Sequence, residues 1–393
     1  MLTVRLIATA VSAALTCASA AYYVVALVAA RKFRHDSMGT AAAHMSDEPA
    51  LSFSILKPLK GADPHMYEAF RSHCLQEYSG EYELIFGVSD LEDPAVPFVR
   101  QLQAEFPDRR IDLLVCPFAL GTNRKAANLA QMLPDARYEH VVVNDADLSV
   151  PPTYLRSLAA GFAVKTKRPV GMVTCPYVGE ASGTLWSKLE ALGIASDFFP
   201  GVLTARMIEG GIHFGLGSTL AMTRSALTQI GGFESVIDHL GDDYELGRRI
   251  SGAGYEVVLS PEVVTTHLPA YSFAEFWQHQ LRWARNVRAA RPAGYLGLIT
   301  THGIVWSLVT VALADAAAWS LLLLGVVLVL RFAVALAVVG PVLDDRGAKR
   351  DLWLVPLRDV VGFASWLAGS AGSTVVWRGE RFKLSKGKLE RLG

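Results

Sequence analysis

From Leu6 to Ala30 the chain carries no charged side chain, and its only polar interruptions are Thr, Ser, Cys and Tyr. As a helix this run reaches roughly 37 Å at about 1.5 Å per residue. That exceeds the roughly 30 Å hydrocarbon core of a bilayer. A secretory signal would account for Arg5 and for the small residues Ala18-Ser19-Ala20. Its apolar core is shorter, however, and here the run continues to Ala30 before meeting Arg31, Lys32 and Arg34. Residues 6–30 therefore read as an uncleaved anchor, and the basic cluster after it places the following domain in the cytoplasm.

The C-terminal third is apolar again. Leu298–Ala314, Ala317–Gly340 and Leu352–Val376 read as candidate spans within a block of residues 298–376. The tail, 377–393, is basic through Arg378, Arg381, Lys383, Lys386, Lys388 and Arg391, so it is also expected inside. Two cytoplasmic ends require an even number of crossings, so the short first candidate is expected to be interfacial or re-entrant. Arg331, Arg358 and Asp359 fall in or beside these runs. Either Arg358 and Asp359 line a polar pocket for a lipid head, or they snorkel to the interface. With 51% hydrophobic and 19% charged residues, the chain lies below the roughly 25% charge of soluble domains. Its net charge of zero gives no case for nucleic-acid binding. Four scattered cysteines form no C-x-x-C and read as buried thiols in a reducing compartment.

Between the membrane blocks, β-rich runs alternate with helical ones. Strands are expected over Ser52–Leu56, Glu83–Ser89, Ile111–Cys116, His140–Asn144 and Val170–Cys175. Helices are expected over Met66–Gln76, Pro94–Glu105 and Arg124–Met132. Alternation of this kind implies βαβ units and a mostly parallel, Rossmann-like sheet over residues 50–270. In such sheets ligands bind beyond the C-terminal ends of the strands.

Carboxylates stand at those ends. Asp90 follows a strand directly and suits hydrogen bonds from a uracil ring or ribose, whereas Asp93, before Pro94, reads as a helix cap. Asp145-Ala146-Asp147 follows the strand His140–Asn144. Alternate residues of an extended segment share a face, so the two acids can converge. Hard oxygen ligands suit Mg²⁺ or Mn²⁺, which neutralises a diphosphate leaving group. In Asp242-Asp243-Tyr244-Glu245, Asp242 is expected to cap the following helix. Asp243 is expected to act as the base that takes a proton from an acceptor hydroxyl.

Residues 271–297 read as an interfacial amphipathic helix. Phe273, Phe276, Trp277, Gln280 and Trp283 fall near helical spacing, and Arg282, Arg285 and Arg288 recur every three residues. Pro292 ends the pattern. Rings at headgroup depth with Arg at phosphates make an anchor, to which contacts with donor diphosphate or acceptor can be added.

Taken in order, Asp90, Asp145, Asp243 and His279-Gln280-Leu281-Arg282-Trp283 resemble the pattern of the ceramide glucosyltransferase family, glycosyltransferase family 21, which includes bacterial hopanoid-associated members. Ile55–Gly61, Gly121–Leu129, Gly231-Gly232-Phe233 and Val376–Gly379 add to the resemblance, which covers about residues 50–385. It implies a GT-A fold in the bacterial inner membrane and an inverting transfer of one hexose, glucose or N-acetylglucosamine. The donor would be a UDP-sugar and the acceptor a lipid hydroxyl of ceramide or hopanoid type, with a divalent cation as cofactor. By this resemblance Asp90 faces the uridine, Asp145 the donor and metal, and Lys125 and Asn128 the nucleotide. Arg282 and Trp283 join the donor side. His279, Gln280, Arg285, Arg358 and Asp359 fall to the acceptor and membrane side, and Asp147 is a second, less regular metal candidate. His279 departs from the family pattern, which has Gln or Arg there. Related aspartates occur in processive polysaccharide synthases, but those carry more membrane spans than this C-terminal block. The same residues also admit a polyprenyl-phosphate glycosyltransferase. A non-catalytic membrane scaffold would keep its function in Asp243→Asn.

Overall fold

The computed structural model describes residues 2–43, 51–377 and 379–392. Ala50 and the basic Arg378 lie outside them. The chain forms two compact units: one from residues 37–180, 211–269 and 383–393, the other from 1–36, 181–210 and 270–382.

The first unit holds the expected α/β sheet. Its strands are β1 (Phe53–Pro58), β2 (Tyr82–Val88), β3 (Ile111–Val115), β4 (His140–Val143), β5 (Leu148–Ser149), β6 (Val170–Thr174), β7 (Tyr177–Glu180), β8 (Leu220–Thr223), β9 (Glu256–Leu259) and β10 (Val264–His267). Seven of them form one sheet in the order β3-β2-β1-β4-β8-β6-β9. All neighbours run parallel except β8, which is antiparallel to β4 and β6. Every residue of β1 and β2 is buried, as a sheet covered on both faces requires. Phe53, Ile55, Leu56, Phe86, Val141 and Val142 are fully buried and anchor this core. Each contributes about 1.5–3 kcal/mol relative to exposure.

Strand register brings the chain ends of the sheet together. Leu56 pairs with Ile85 on one side and Val143 on the other, so β2, β1 and β4 end at one edge. The chain then turns through Asp145-Ala146-Asp147 into β5, which joins β10 and β7 in a small second sheet. The helix Arg124–Met132 has the bounds expected from its pattern. Asp242 does not cap its helix: Gly241 holds the cap position, and Asp242 and Asp243 are the first two helical residues.

In the second unit, three helices among the described residues are long and apolar enough to cross a membrane: Leu2–Ser37, Leu185–Ile208 and Ala318–Val339. Leu185–Ile208 departs from the expectation that residues 50–270 form one continuous domain. Its most apolar 18-residue stretch has a mean hydropathy of only 1.2, against 2.8 for Ala318–Val339, and the whole segment carries Lys188, Glu190, Asp197 and Arg206. The expected first C-terminal span is a pair of helices, 292–301 and 303–313, bent by 56°, which matches a broken or re-entrant element. Leu352–Val376 is not a single span. Its main helix, Val355–Gly369, has 15 residues and reaches only about 22 Å. The chain then enters β11 (Thr374–Trp377). The tail is not a plain basic extension either, since β12 (Glu380–Ser385) and β13 (Lys388–Arg391) are strands that bury Phe382, Leu384 and Leu389.

Candidate active site

The exit of β4 is held from behind. Asn144, fully buried, donates to the Ser218 carbonyl at 2.8 Å and to the Tyr154 hydroxyl at 3.0 Å, and its Oδ1 lies 3.3 Å from His73 Nε2. Lys57, fully buried at the end of β1, donates from Nζ to the Asp145 carbonyl at 3.0 Å. Burial lowers the Lys57 pKa to about 7, with Asp147 and Asp145 pulling the other way. Fixed in this way, the Asp145 side chain emerges at the sheet edge with 45% exposure.

Lys125 joins two distant acidic stretches. Its Nζ donates to Asp145 Oδ1 at 2.7 Å and lies 4.0 Å from Asp242 Oδ2. Burial opposes its charge, but Asp145, Asp242 and Asp243 hold the proton on and raise its pKa. The local sequence sets this placement. Asn123 caps the helix that carries Lys125, accepting from Ala126 N at 3.1 Å, and donates to the His239 carbonyl at 2.8 Å. Thr122 donates twice to Asp238 Oδ1, at 3.0 and 3.1 Å. The Gly121-Thr122-Asn123 segment thus stitches its helix to the loop that leads into Asp242–Gly252.

Asp243 is half-buried beside Asp242. Burial, and then the charge of Asp242, push its pKa up to about 6. Its Oδ1 accepts from Tyr244 N at 2.8 Å. A Cβ at Gly217 would come within 2.8 Å of Asp243 Oδ2, and one at Gly247 within 2.2 Å of Gly215 N. Only glycine permits this close approach of the helix to the 214–217 loop. Asp242 is buried, and its pKa is raised by that burial while Lys125 opposes the shift.

Asp147 accepts from Thr266 Oγ1 at 2.6 Å. Burial, and then Asp145, raise its pKa to about 6. Asp145 and Asp147 offer hard oxygens, and Mg²⁺ or Mn²⁺ usually takes only one or two carboxylates together with substrate phosphates. The donor set fits such an ion in kind. Among the described residues no three His, Cys, Asp or Glu side chains already form a metal cage.

Asp90 is exposed beyond β2 at the same edge, with β1 between it and Asp145, and accepts from Glu92 N at 3.0 Å. Asp93 accepts from Ala95 N at 2.9 Å and from Gly61 N at 2.9 Å, so it pins the loop after β1; it is not the expected helix cap, because Ala95 holds that position before the helix Val96–Glu105. Asn128 is buried one turn beyond Lys125. Sequence reasoning missed Lys57, Thr266 and Asp238. The signal for Lys57 was a lysine inside an apolar strand, where only a paired charge survives.

In the second unit, the helix Phe273–Ala290 opens with a capping box from Ser272 and Glu275. Gln280 donates to Glu190 and accepts from Arg358 Nη1 at 2.7 Å. Arg358 Nε donates to Asp197 at 2.8 Å, and Arg331 Nε donates to both Asp359 oxygens at 3.0 Å. Arg358 and Asp359 therefore belong to a buried ion network rather than snorkelling. Arg285 donates to the carbonyls of Ala371 and Thr374. His279 and Trp283 are hydrogen-bonded to each other, and Arg282 is half-buried on the same helix. Glu190 and Asp197 had no signal beyond being charges in an apolar run.

Residues 11–390 match the family model described as Glycosyl transferase family 21. Ceramide glucosyltransferase 1 of Caenorhabditis elegans is 24% identical over 243 residues, which are 61% of this chain and 50% of that protein. Beta-monoglucosyldiacylglycerol synthase of Synechocystis sp. is 26% identical over 220 residues, 54% of this chain and 43% of that protein. The chain thus spans about half the length, or less, of these curated relatives. Among solved structures, a mannosyltransferase from Pyrobaculum calidifontis, in complex with GDP-Man and Mn²⁺, is 18% identical with a TM-score of 0.48, covering 90% of this chain and 99% of that one.

Proposed function

The chain belongs to glycosyltransferase family 21, and from that membership we propose that it moves a single hexose from a UDP-sugar to a hydroxyl of a membrane lipid, with inversion at the anomeric carbon. The observation that carries this reading is the Lys125 bridge, which gathers acids from two distant stretches beyond the sheet edge where ligands of α/β folds bind.

Asp243 is the base. Its raised proton affinity suits removal of a hydroxyl proton near neutral pH. As that proton moves to Asp243, the acceptor oxygen forms a bond to the anomeric carbon, and the bond to the diphosphate breaks with its electron pair leaving on UDP. Asp90 binds the uridine side and Lys125 the diphosphate, with Asn128 supporting the nucleotide side. Asp145 and Asp147 would hold a Mg²⁺ or Mn²⁺ ion, which would supply charge neutralisation to the leaving group. Arg282 and Trp283 contribute to donor binding, and His279, Gln280, Arg285, Arg358 and Asp359 shape the acceptor side. The relatives' names, with ceramide and diacylglycerol among them, support a lipid with a free hydroxyl as acceptor. Long apolar helices support an integral membrane protein; the bacterial inner membrane, with the catalytic unit cytoplasmic, is our inference from the family resemblance and the basic residues flanking the first helix.

Purified protein in detergent, given UDP-glucose or UDP-N-acetylglucosamine with ceramide or a hopanoid polyol, is expected to yield a glycolipid and UDP, read by mass spectrometry. A polymer of sugars, a polyprenyl-phosphate product, or no transfer to any lipid hydroxyl would overturn the reading.

A further inference from the structure

His279 stands at a motif position where the family pattern has Gln or Arg, and its surroundings show what it does there. Its Nδ1 lies 3.1 Å from Oε1 of Glu190, a carboxylate whose side chain is 6% exposed. Its Nε2 accepts from the Trp283 indole at 3.2 Å. An indole N–H only donates, so Nε2 must be bare and the neutral ring carries its proton on Nδ1, the nitrogen nearest Glu190. A carboxylate facing Nδ1 selects that tautomer, as acids do behind metal-bound and catalytic histidines. The ring is held further by Tyr271, stacked at 5.8 Å, and the indole meets Phe198 edge-on at 5.6 Å. Glu190 also accepts from Gln280, so one buried acid orients two successive motif residues.

We propose that Glu190 is a positioning residue which, through His279, holds the indole of Trp283 in place for the transfer reaction. An amide at residue 279 also carries one donor group and one acceptor, the pair needed to meet both Glu190 and the indole. An arginine there pairs with Glu190 but has no acceptor for Trp283. This inference rests on the transferase reading for its kinetic arm only.

The test has two arms, both on the full-length protein in detergent. In the first, tryptophan indoles are labelled with ¹⁵N and the Trp283 resonance is assigned by its loss in Trp283→Phe. Glu190→Gln and His279→Arg are expected to shift that resonance and speed its exchange with solvent, while His279→Gln leaves it close to its original position. In the second, kcat/KM is measured for glycolipid formation. Glu190→Gln and Trp283→Phe are each expected to cost about tenfold, the lower end for loss of an outer-shell partner. Combined, they are expected to cost little more than either alone, because both break one linkage. His279→Gln is expected to lose less than His279→Leu. Glu190→Gln preserves shape, so a folded variant is available even if Glu190→Leu is unstable, but it has a single oxygen, which cannot accept from Gln280 and His279 together. An unmoved indole resonance in Glu190→Gln, or single losses that multiply in the double variant, would overturn the proposal. Absence of transfer by the unaltered protein would instead sink the transferase reading and leave the first arm to judge the relay.

Discussion

Asn at position 243 is expected to destroy turnover and stabilise the protein at the same time. Asp243 is half-buried, next to Asp242, and its pKa is pushed from 3.8 to about 6. A shift of about two pH units corresponds to about 3 kcal/mol at roughly 1.36 kcal/mol per unit. Partial exposure reduces that upper limit to about 1–2 kcal/mol. The sign follows from linkage. The folded state holds the proton more tightly than the unfolded chain, so ionisation penalises folding fully above about pH 6 and not at all below the unfolded value of 3.8. Asp243→Asn removes the penalty while keeping the side chain's shape. Thermal unfolding in detergent at pH 7.5 is therefore expected to show a Tm raised by several degrees, at about 2–4 °C per kcal/mol. The gain is expected to shrink steadily as the pH falls to 4.5. Turnover at pH 7.5 is expected to drop about 10²–10⁴-fold. A Tm that falls at pH 7.5, or a gain independent of pH, would refute the view that Asp243 is a strained acid kept for chemistry.

If Asp243 is the base, kcat/KM is expected to fall about tenfold per pH unit below about pH 6 and to level off above it, which a pH–rate profile in a metal-buffered assay checks. Gly217→Ala sets a methyl against Asp243 Oδ2, so kcat is expected to fall about tenfold or more with donor affinity retained, measured by steady-state kinetics and direct binding. Arg331→Leu leaves Asp359 without its guanidinium in a buried site and is expected to cost about 3–5 kcal/mol. Adding Asp359→Leu is expected to recover much of that loss in thermal unfolding. Removal of divalent cations by a chelator is expected to abolish transfer, with Mn²⁺ or Mg²⁺ restoring it in the unaltered protein and failing to restore it in Asp145→Asn.

The sheet was legible because its strands are continuous apolar runs, which only a doubly covered sheet accepts, as in β1 and β2. The Arg124–Met132 helix was legible from Asn123, a cap residue immediately before an apolar-periodic stretch. The carboxylates were legible by position alone, since chain order places Asp90 and Asp145 after strands. Lys125, which bridges Asp145 and Asp242, was expected only by analogy, and its bridge depends on the Thr122–Asp238 and Asn123–His239 contacts, which join segments far apart in sequence. Leu185–Ile208 was missed because its charges, scored as water-seeking, are paired inside the protein: Glu190 with His279 and Asp197 with Arg358. In the tail, charge counting hid the alternation Arg381-Phe382-Lys383-Leu384, a strand signal whose apolar members are buried. The bend between 301 and 303 was not read from the residues; the short first span was set apart only by the parity of crossings.

The central proposal is a division of labour: Lys125 bridges Asp145 to Asp242, the neighbour of Asp243, and Asp145 is proposed to serve the donor and Asp243 the acceptor. Titration calorimetry of a UDP-sugar with Mn²⁺ into the unaltered protein, Asp145→Asn and Asp243→Asn separates the two roles. The expected result is near-normal donor affinity in Asp243→Asn, with turnover lost, and donor affinity weakened about tenfold or more in Asp145→Asn. Equal loss of donor binding in both, or intact binding in Asp145→Asn, would contradict it.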